Sequence, residues 1–262
     1  MAAVVQGRLM EKESLGQKYF WLKVLAPEIA GQAQPGQFVQ VRCGDTLDPF
    51  LRRPLSLHRF HRREGTVEFL VQRKGKGTAW LAHREPGQVL DLLGPLGRGF
   101  TLHRKQRALL VGGGIGVAPL LALAEALARS GSPPVTLLGA NSSRDLLKVE
   151  EFRRYSAAVA VSTLDGSAGR AGLVTELLEE ELRNGFQGFI YTCGPMGMMQ
   201  KVAELARHFG AEGEASLEAN MACGIGVCLG CTCEIRGEQG PTYAHVCTDG
   251  PVFPLEAVID YV

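Results

Sequence analysis

The chain has 262 residues, 45% of them hydrophobic and 21% charged, an ordinary balance for a globular protein with a sizeable core. Its 28 lysines and arginines offset 27 aspartates and glutamates to leave a net charge of +1, with no long basic run, so nothing in the charge points to a nucleic-acid partner. The opening "MAAVVQGRLMEKES" lacks the basic start and apolar run of a signal peptide, and no stretch approaches the ~18 apolar residues of a membrane span; the expected location is the cytoplasm.

Residues 1–101 read as β-rich. Short alternating or β-branched runs ("YFWLKVLAP", "GQFVQVRC", "LSLHRF", "TVEFLVQR") are punctuated by Pro and Gly, which predicts a small antiparallel barrel. Within it, "FLRRPLSLHRF" puts Arg53, Pro54, Leu55 and Ser56 in one strand. An Arg can neutralise a diphosphate, and a hydroxyl can hydrogen-bond a flavin ring. Arg53 and Ser56 have opposite parity, so both reach one ligand only if the strand bends or ends near Ser56. A surface Arg is the plainer explanation of the motif taken alone. In "QRKGKGTAWLA", Gly75 and Gly77 turn the chain and Thr78 is placed to cap a helix whose N-terminus suits an anion. The histidines here, among them His58, His83 and His103, are expected at the surface.

Residues 102–212 change texture. "RALLVGGGIGVAPLLALAEALARSG" reads as a strand, a glycine turn and a helix; "PVTLLGAN", "AAVAVST" and "GFIYTCGP" as further strands; "DLLKVEEFRRYS", "GLVTELLEEELRNG" and "MGMMQKVAELARHFG" as helices. The alternation predicts a doubly wound parallel sheet. Gly112, Gly113, Gly114 and Gly116 stand where backbone can approach a pyrophosphate, although tight strand–helix packing alone also asks for glycine. No acidic residue ends the second strand to hold a ribose. Ser142, Ser143 and Arg144 follow instead and suit a 2′-phosphate equally, which leaves NAD and NADP both open. Cys193 and Gly194 end the fourth strand at the edge where such sheets bind ligands; a buried small thiol is the alternative for Cys193. The methionines that follow read as core filler.

Residues 213–262 lose the alternation and hold five of the seven cysteines. The spacing Cys223-x4-Cys228-x2-Cys231, with Cys247 fifteen residues on, is the plant-type [2Fe–2S] arrangement. Two irons need four thiolates, and Gly224, Gly226 and Gly230 allow a tight loop to wrap such a centre with amides turned inward. Zinc is the competing ligand: Cys228-x2-Cys231 is one knuckle and His245-x-Cys247 an imperfect second, but the x4 gap has no role in a zinc site. Cys233 reads as a thiol beside the centre, with an exchange of roles with Cys231 left open. The gap before Cys247 suggests a hairpin.

Together these motifs resemble the ferredoxin–NADP reductase superfamily. "MACGIGVCLGC", "VCTDGPVF", "STLDGSAGRAGLVT" and "GPLGRGF" resemble, more narrowly, the electron-transfer subunits of type B dihydroorotate dehydrogenases. The resemblance implies FAD on Arg53, Pro54, Leu55 and Ser56, with Leu70, Val71 and Gln72 along the next strand and Gly77 and Thr78 at the pyrophosphate. Leu55 stands where relatives often have Tyr, so flavin contacts there would be apolar. It implies a [2Fe–2S] cluster on Cys223, Cys228, Cys231 and Cys247, and NAD as the nucleotide. It further implies an FMN-bearing catalytic partner in a heterotetramer of two copies each. Dihydroorotate would be oxidised there for pyrimidine synthesis, and electrons passed through cluster and FAD to NAD+. A subunit of a hydrogenase or of an NADPH–ferredoxin oxidoreductase has the same build, and a zinc-binding interaction module is the alternative of another class.

Overall fold

A computed structural model describes residues 2–44, 46–237 and 239–258; the last four residues of the 213–262 segment lie outside the described residues. The first half is a seven-stranded antiparallel sheet curled around its own core. Its strands are β1 (Ala3–Leu15), β2 (Tyr19–Leu25), β3 (Phe38–Val41), β4 (Arg53–Ser56), β5 (Arg59–His61), β6 (Thr66–Gln72) and β7 (Val89–Leu96), in the order β4-β3-β7-β1-β2-β6-β5. Helices α1 (Pro27–Gln32) and α2 (Lys76–Ala82) close it. Alternate residues such as Leu22, Val24, Val39, Val41, Val67 and Phe69 point inward and form the barrel core with Ile29 of α1 and Leu81 of α2. Strands β1 and β7 are not obvious from the sequence. Along β1 only Gly7 and Leu9 are buried, and Val4 and Met10 face solvent, so the alternation is blurred.

The second sheet has the order β11-β10-β9-β8-β12-β13-β16. It comprises β8 (Ala108–Gly113), β9 (Val135–Ala140), β10 (Ala158–Thr163), β11 (Arg170–Ala171), β12 (Phe189–Cys193), β13 (Glu212–Ser216) and β16 (Val252–Pro254). All pairs are parallel except β13 with β16. Helices α3 (Leu120–Arg129), α4 (Val149–Tyr155), α5 (Val174–Arg183) and α6 (Met196–Phe209) cover its faces. β8 is buried at all six positions, as a central parallel strand must be. The sheet draws β13 and β16 from the cysteine-bearing segment. That segment adds a hairpin, β14 (Thr232–Gly237) with β15 (Gly240–His245), and the short helix α7 (Leu255–Val258). The hairpin occupies the gap between Cys231 and Cys247, as the spacing suggests.

The two sheets are joined by buried polar contacts. His58 is not a surface residue: it is fully buried, and its Nδ1–H donates to the Ala118 carbonyl at 2.8 Å. The Ala122 amide donates to the His58 carbonyl at 3.1 Å, and Arg59 Nε donates to Glu125 at 2.7 Å. Burial pushes the His58 imidazole below its ordinary pKa of 6.5. The strand motif gave no sign of this, because α3 reaches His58 only through the packing of one sheet on the other.

Candidate functional site

Two clefts open between the sheets. The first is walled by Pro54, Leu55 and Ser56 of β4, by Leu70, Val71 and Gln72 of β6, and by Thr78. Strand β4 ends at Ser56, which releases that side chain from strict alternation and lets it share the wall with its neighbours. Phe38, Lys74, Ile115, Ala118, Glu218 and Met221 are among the other residues that line it. Two expected residues lie outside it. The Arg53 side chain passes over Gly77, where a Cβ would stand 2.8 Å from Arg53 Nε, and Arg53 Nη1 donates to the Leu51 carbonyl at 2.6 Å. Thr78 caps the helix, as expected, but from its third position, Gly75 being the N-cap residue. Helix α2 starts at Lys76, and Thr78 Oγ1 reaches back to accept from the amides of Lys74 (2.9 Å) and Gly75 (3.1 Å).

The second cleft lies at the carboxyl ends of the parallel strands. Gly113 and Gly114 line it with Asn141, Asp145, Ser162, Thr175, Met198 and Lys201. Gly112, Gly116, Cys193 and Gly194 are placed behind this wall, not in it. A Cβ on Gly116 would overlap the backbone of Cys193 and Gly194, and one on Gly112 would press on Val117 and Leu120. These glycines let the turn after β8 pack on the end of β12. Cys193 is buried, and burial together with the nearby Glu218 charge pushes its thiol well up. Ser142, Ser143 and Arg144 do not reach the lining. Asp145 does, accepting from Ser142 Oγ at 3.0 Å and pairing with Lys18 at 3.1 Å. The acidic group absent from the end of β9 is thus supplied five residues later. Ser162 Oγ is buried in this wall with no hydrogen-bond partner among the described residues.

The cysteine loop runs from the first cleft. Met221, in the cleft lining, is two residues before Cys223. Gly224 and Gly226 take φ of +73° and +81°; the third left-handed residue of the loop is Leu229, at φ +58°, and not Gly230. The loop turns amides onto sulfur. Ile225 and Cys228 donate to Cys223 Sγ at 3.5 and 3.4 Å, Gly226 to Cys247 Sγ at 3.2 Å, and Gly230 to Cys228 Sγ at 3.5 Å. Cys228 helps lower the Cys223 thiol and Cys231 helps raise that of Cys247, so the four thiols interact as two pairs. Desolvation opposes ionisation of Cys223, but the amides of Ile225, Cys228 and Val227 overcome it and bring the thiol down to about 6. Burial, then the Cys231 side chain, pushes Cys247 up to about 11. Cys233 points the other way, into the core, and its Sγ lies 3.5 Å from the Ala244 carbonyl.

This arrangement fits a two-metal centre. Two thiol pairs ringed by inward amides suit two bridged irons, each with two thiolates. Sequence reasoning missed Glu218, Asp145, Ser162, Met198 and Lys201. Met198 and Lys201 stand in the first turns of α6, Ser162 near the end of β10, and Asp145 and Glu218 between the longer elements; they meet only in the folded chain, and no spacing rule marks them. Burial pushes the Glu218 carboxyl up, with Lys74 opposing.

A barrel beside a doubly wound sheet, with a ligand cleft at the junction and a thiolate loop at its mouth, defines a ferredoxin reductase-like oxidoreductase carrying an iron–sulfur domain. Residues 218–259 match the family model for the iron–sulfur cluster binding domain of dihydroorotate dehydrogenase B, and residues 110–204 match the oxidoreductase NAD-binding domain. The dihydroorotate dehydrogenase B (NAD(+)) electron transfer subunit of Desulforamulus reducens is 37% identical over 260 residues, covering 99% of each chain. That of Bacillus caldolyticus is 43% identical over 229 residues, covering 86% of this chain and 87% of the other. A chain of the NADH-dependent reduced ferredoxin–NADP oxidoreductase structure superposes with a TM-score of 0.86 at 32% identity, covering 98% of this chain and 91% of that one. The chain belongs to the family of dihydroorotate dehydrogenase B electron transfer subunits. It is an oxidoreductase subunit whose cofactors are FAD, a [2Fe–2S] cluster and NAD.

Proposed function

We propose that this chain carries electrons from an FMN-bearing, dihydroorotate-oxidising partner subunit to NAD+, in a cytoplasmic heterotetramer of two copies each that serves pyrimidine synthesis. One observation carries the reading: three ligand regions meet at the junction of the two sheets. Ile115 lines the first cleft while its neighbour Gly114 lines the second, and Met221 lines the first cleft two residues from Cys223. When bound, FAD supplies the exchange between one-electron traffic with a cluster and two-electron hydride transfer with a nicotinamide. The residues supply placement. Pro54, Leu55, Ser56, Leu70, Val71 and Gln72 hold the isoalloxazine, and Arg53, Gly77 and Thr78 hold the pyrophosphate beside α2.

Gly113 and Gly114 admit the nucleotide, and Ser162 Oγ, without a partner among the described residues, offers it a hydrogen bond. Gly112, Gly116, Cys193 and Gly194 set the shape of that wall from behind. The Asp145 carboxylate in the lining repels a 2′-phosphate, which favours NAD over NADP. Cys223 and Cys228 hold one iron, Cys231 and Cys247 the other. Ile225, Val227 and Leu229, exposed on the same loop at 50, 76 and 58%, give the partner an apolar surface beside the cluster. No helix among the described residues is long and apolar enough to cross a membrane.

The test is co-purification under anaerobic conditions. The complex is expected to contain FMN and FAD and to reduce NAD+ with dihydroorotate, whereas this chain alone does not oxidise dihydroorotate. A co-purifying partner without FMN, or a complex active only with ferredoxin, would refute the reading.

A further inference from the structure

Strand β3 presents different residues to its two faces. Val39 and Val41 point into the barrel core, whereas Phe38 and Gln40 point out of it. Phe38 lines the first cleft and belongs to the apolar cluster that includes Met221, Cys231 and Cys247. Gln40 is 0% exposed, and neither its Nε2 nor its Oε1 has a partner among the described residues. Only its backbone is engaged, the carbonyl accepting from Arg52 Nη1 at 3.4 Å and the strand running between β4 and β7. The side chain lies against the ligand loop: a Cβ built on Gly224 would stand 2.7 Å from Gln40 Cγ and 2.8 Å from Nε2. Gly224 directly follows Cys223 and holds φ +73°.

A buried primary amide with no partner is costly, and native proteins rarely leave one. Packing does not account for it, since Met would fill the same space with no polar atoms. The loop beside it is built to surround a centre rich in sulfur acceptors, and its own amides already point inward. We propose that Gln40 is the barrel's hydrogen-bond donor to the iron–sulfur centre, its side-chain amide stabilising the reduced form and raising its potential. The inference rests on the four-cysteine ligand assignment above. It also links the two cofactor sites: the strand that supplies Phe38 to the flavin cleft supplies Gln40 to the cluster. Hydrogen bonds to cluster sulfur favour the added electron, so their removal lowers the potential.

The experiment is a potentiometric titration of the anaerobically purified complex, followed by electron paramagnetic resonance. Gln40→Met is expected to keep its iron, sulfide and FAD while the reduced-to-oxidised ratio at a given potential falls about tenfold, about 59 mV for a one-electron couple. A fully loaded Gln40→Met with the wild-type midpoint overturns the proposal. Should that variant lose its cluster, Gln40→Leu, which also has no donor, is expected to show the same downward shift; an unchanged midpoint there overturns it equally. The wild type gives an independent reading. Labelling glutamine at the side-chain nitrogen with ¹⁵N should yield a nitrogen coupled to the reduced centre by electron–nuclear double resonance, and its absence overturns the proposal. Wild-type protein without acid-labile sulfide would instead overturn the ligand assignment.

Discussion

His58 shows how far one residue's chemistry depends on contacts its neighbours in sequence do not reveal. Its Nδ1–H is held by the Ala118 carbonyl, its Nε2 is buried without a partner among the described residues, and desolvation outweighs the raising effects of that bond and of Glu68 and Glu151. The folded state therefore keeps the imidazole neutral below the pH at which the unfolded chain protonates it. A base with a depressed folded pKa contributes stability that is present above its unfolded pKa of 6.5 and lost as pH falls below it, at most about 1.4 kcal/mol per pH unit. His58→Asn keeps a donor for Ala118 and does not titrate. Urea unfolding between pH 7.5 and 5 is expected to show a smaller loss of stability in His58→Asn than in the wild type; equal losses would contradict this assignment. The cysteines were legible where His58 was not. Ligands of one centre drawn from a short loop must keep a fixed spacing, whereas burial of a histidine by a helix some sixty positions away leaves no local trace.

At the scale of elements, β4 and α2 act as one unit. The strand ends at Ser56, the helix starts at Lys76, and Arg53 crosses between them over Gly77. The motif residues were readable in sequence, but their division of labour was not. Arg53 lies outside the cleft that Ser56 lines, so the two do not share one wall, in keeping with their opposite parity. Charge-assisted hydrogen bonds contribute about 1.5–3 kcal/mol. Arg53→Ala is accordingly expected to weaken FAD binding tenfold or more, seen as a lower flavin-to-protein ratio after gel filtration. Undiminished flavin would mean that the pyrophosphate is held without this side chain. The glycine turn after β8 gives a parallel lesson. Its sequence suggested a cofactor contact at four positions, yet only Gly113 and Gly114 face the nucleotide cleft, and Gly116 is needed for the approach to Cys193 and Gly194. Glycine marks close approach, and the partner in that approach is set by the fold.

Across the whole molecule, alternation of strand and helix made the nucleotide-binding sheet readable, and regular turn punctuation did the same for the barrel. Strands β1 and β7 escaped because their exposed faces carry apolar residues such as Val4 and Val89. The meeting of the clefts was not readable. Ile115, from the turn after β8, and Glu218 and Met221, from the loop after β13, reach the cleft lined by β4 and β6 only when the sheets pack. The junction brings the cysteine loop to the mouth of the first cleft, and the proposed electron route depends on that loop holding a [2Fe–2S] centre. The most direct test is to prepare the chain anaerobically beside its Cys228→Ser variant, assay iron, acid-labile sulfide and FAD, and record electron paramagnetic resonance after reduction. Two irons and two sulfides per wild-type chain, lost in Cys228→Ser with FAD retained, are expected. Wild-type protein free of acid-labile sulfide, or a variant with an undiminished cluster signal, would contradict the assignment.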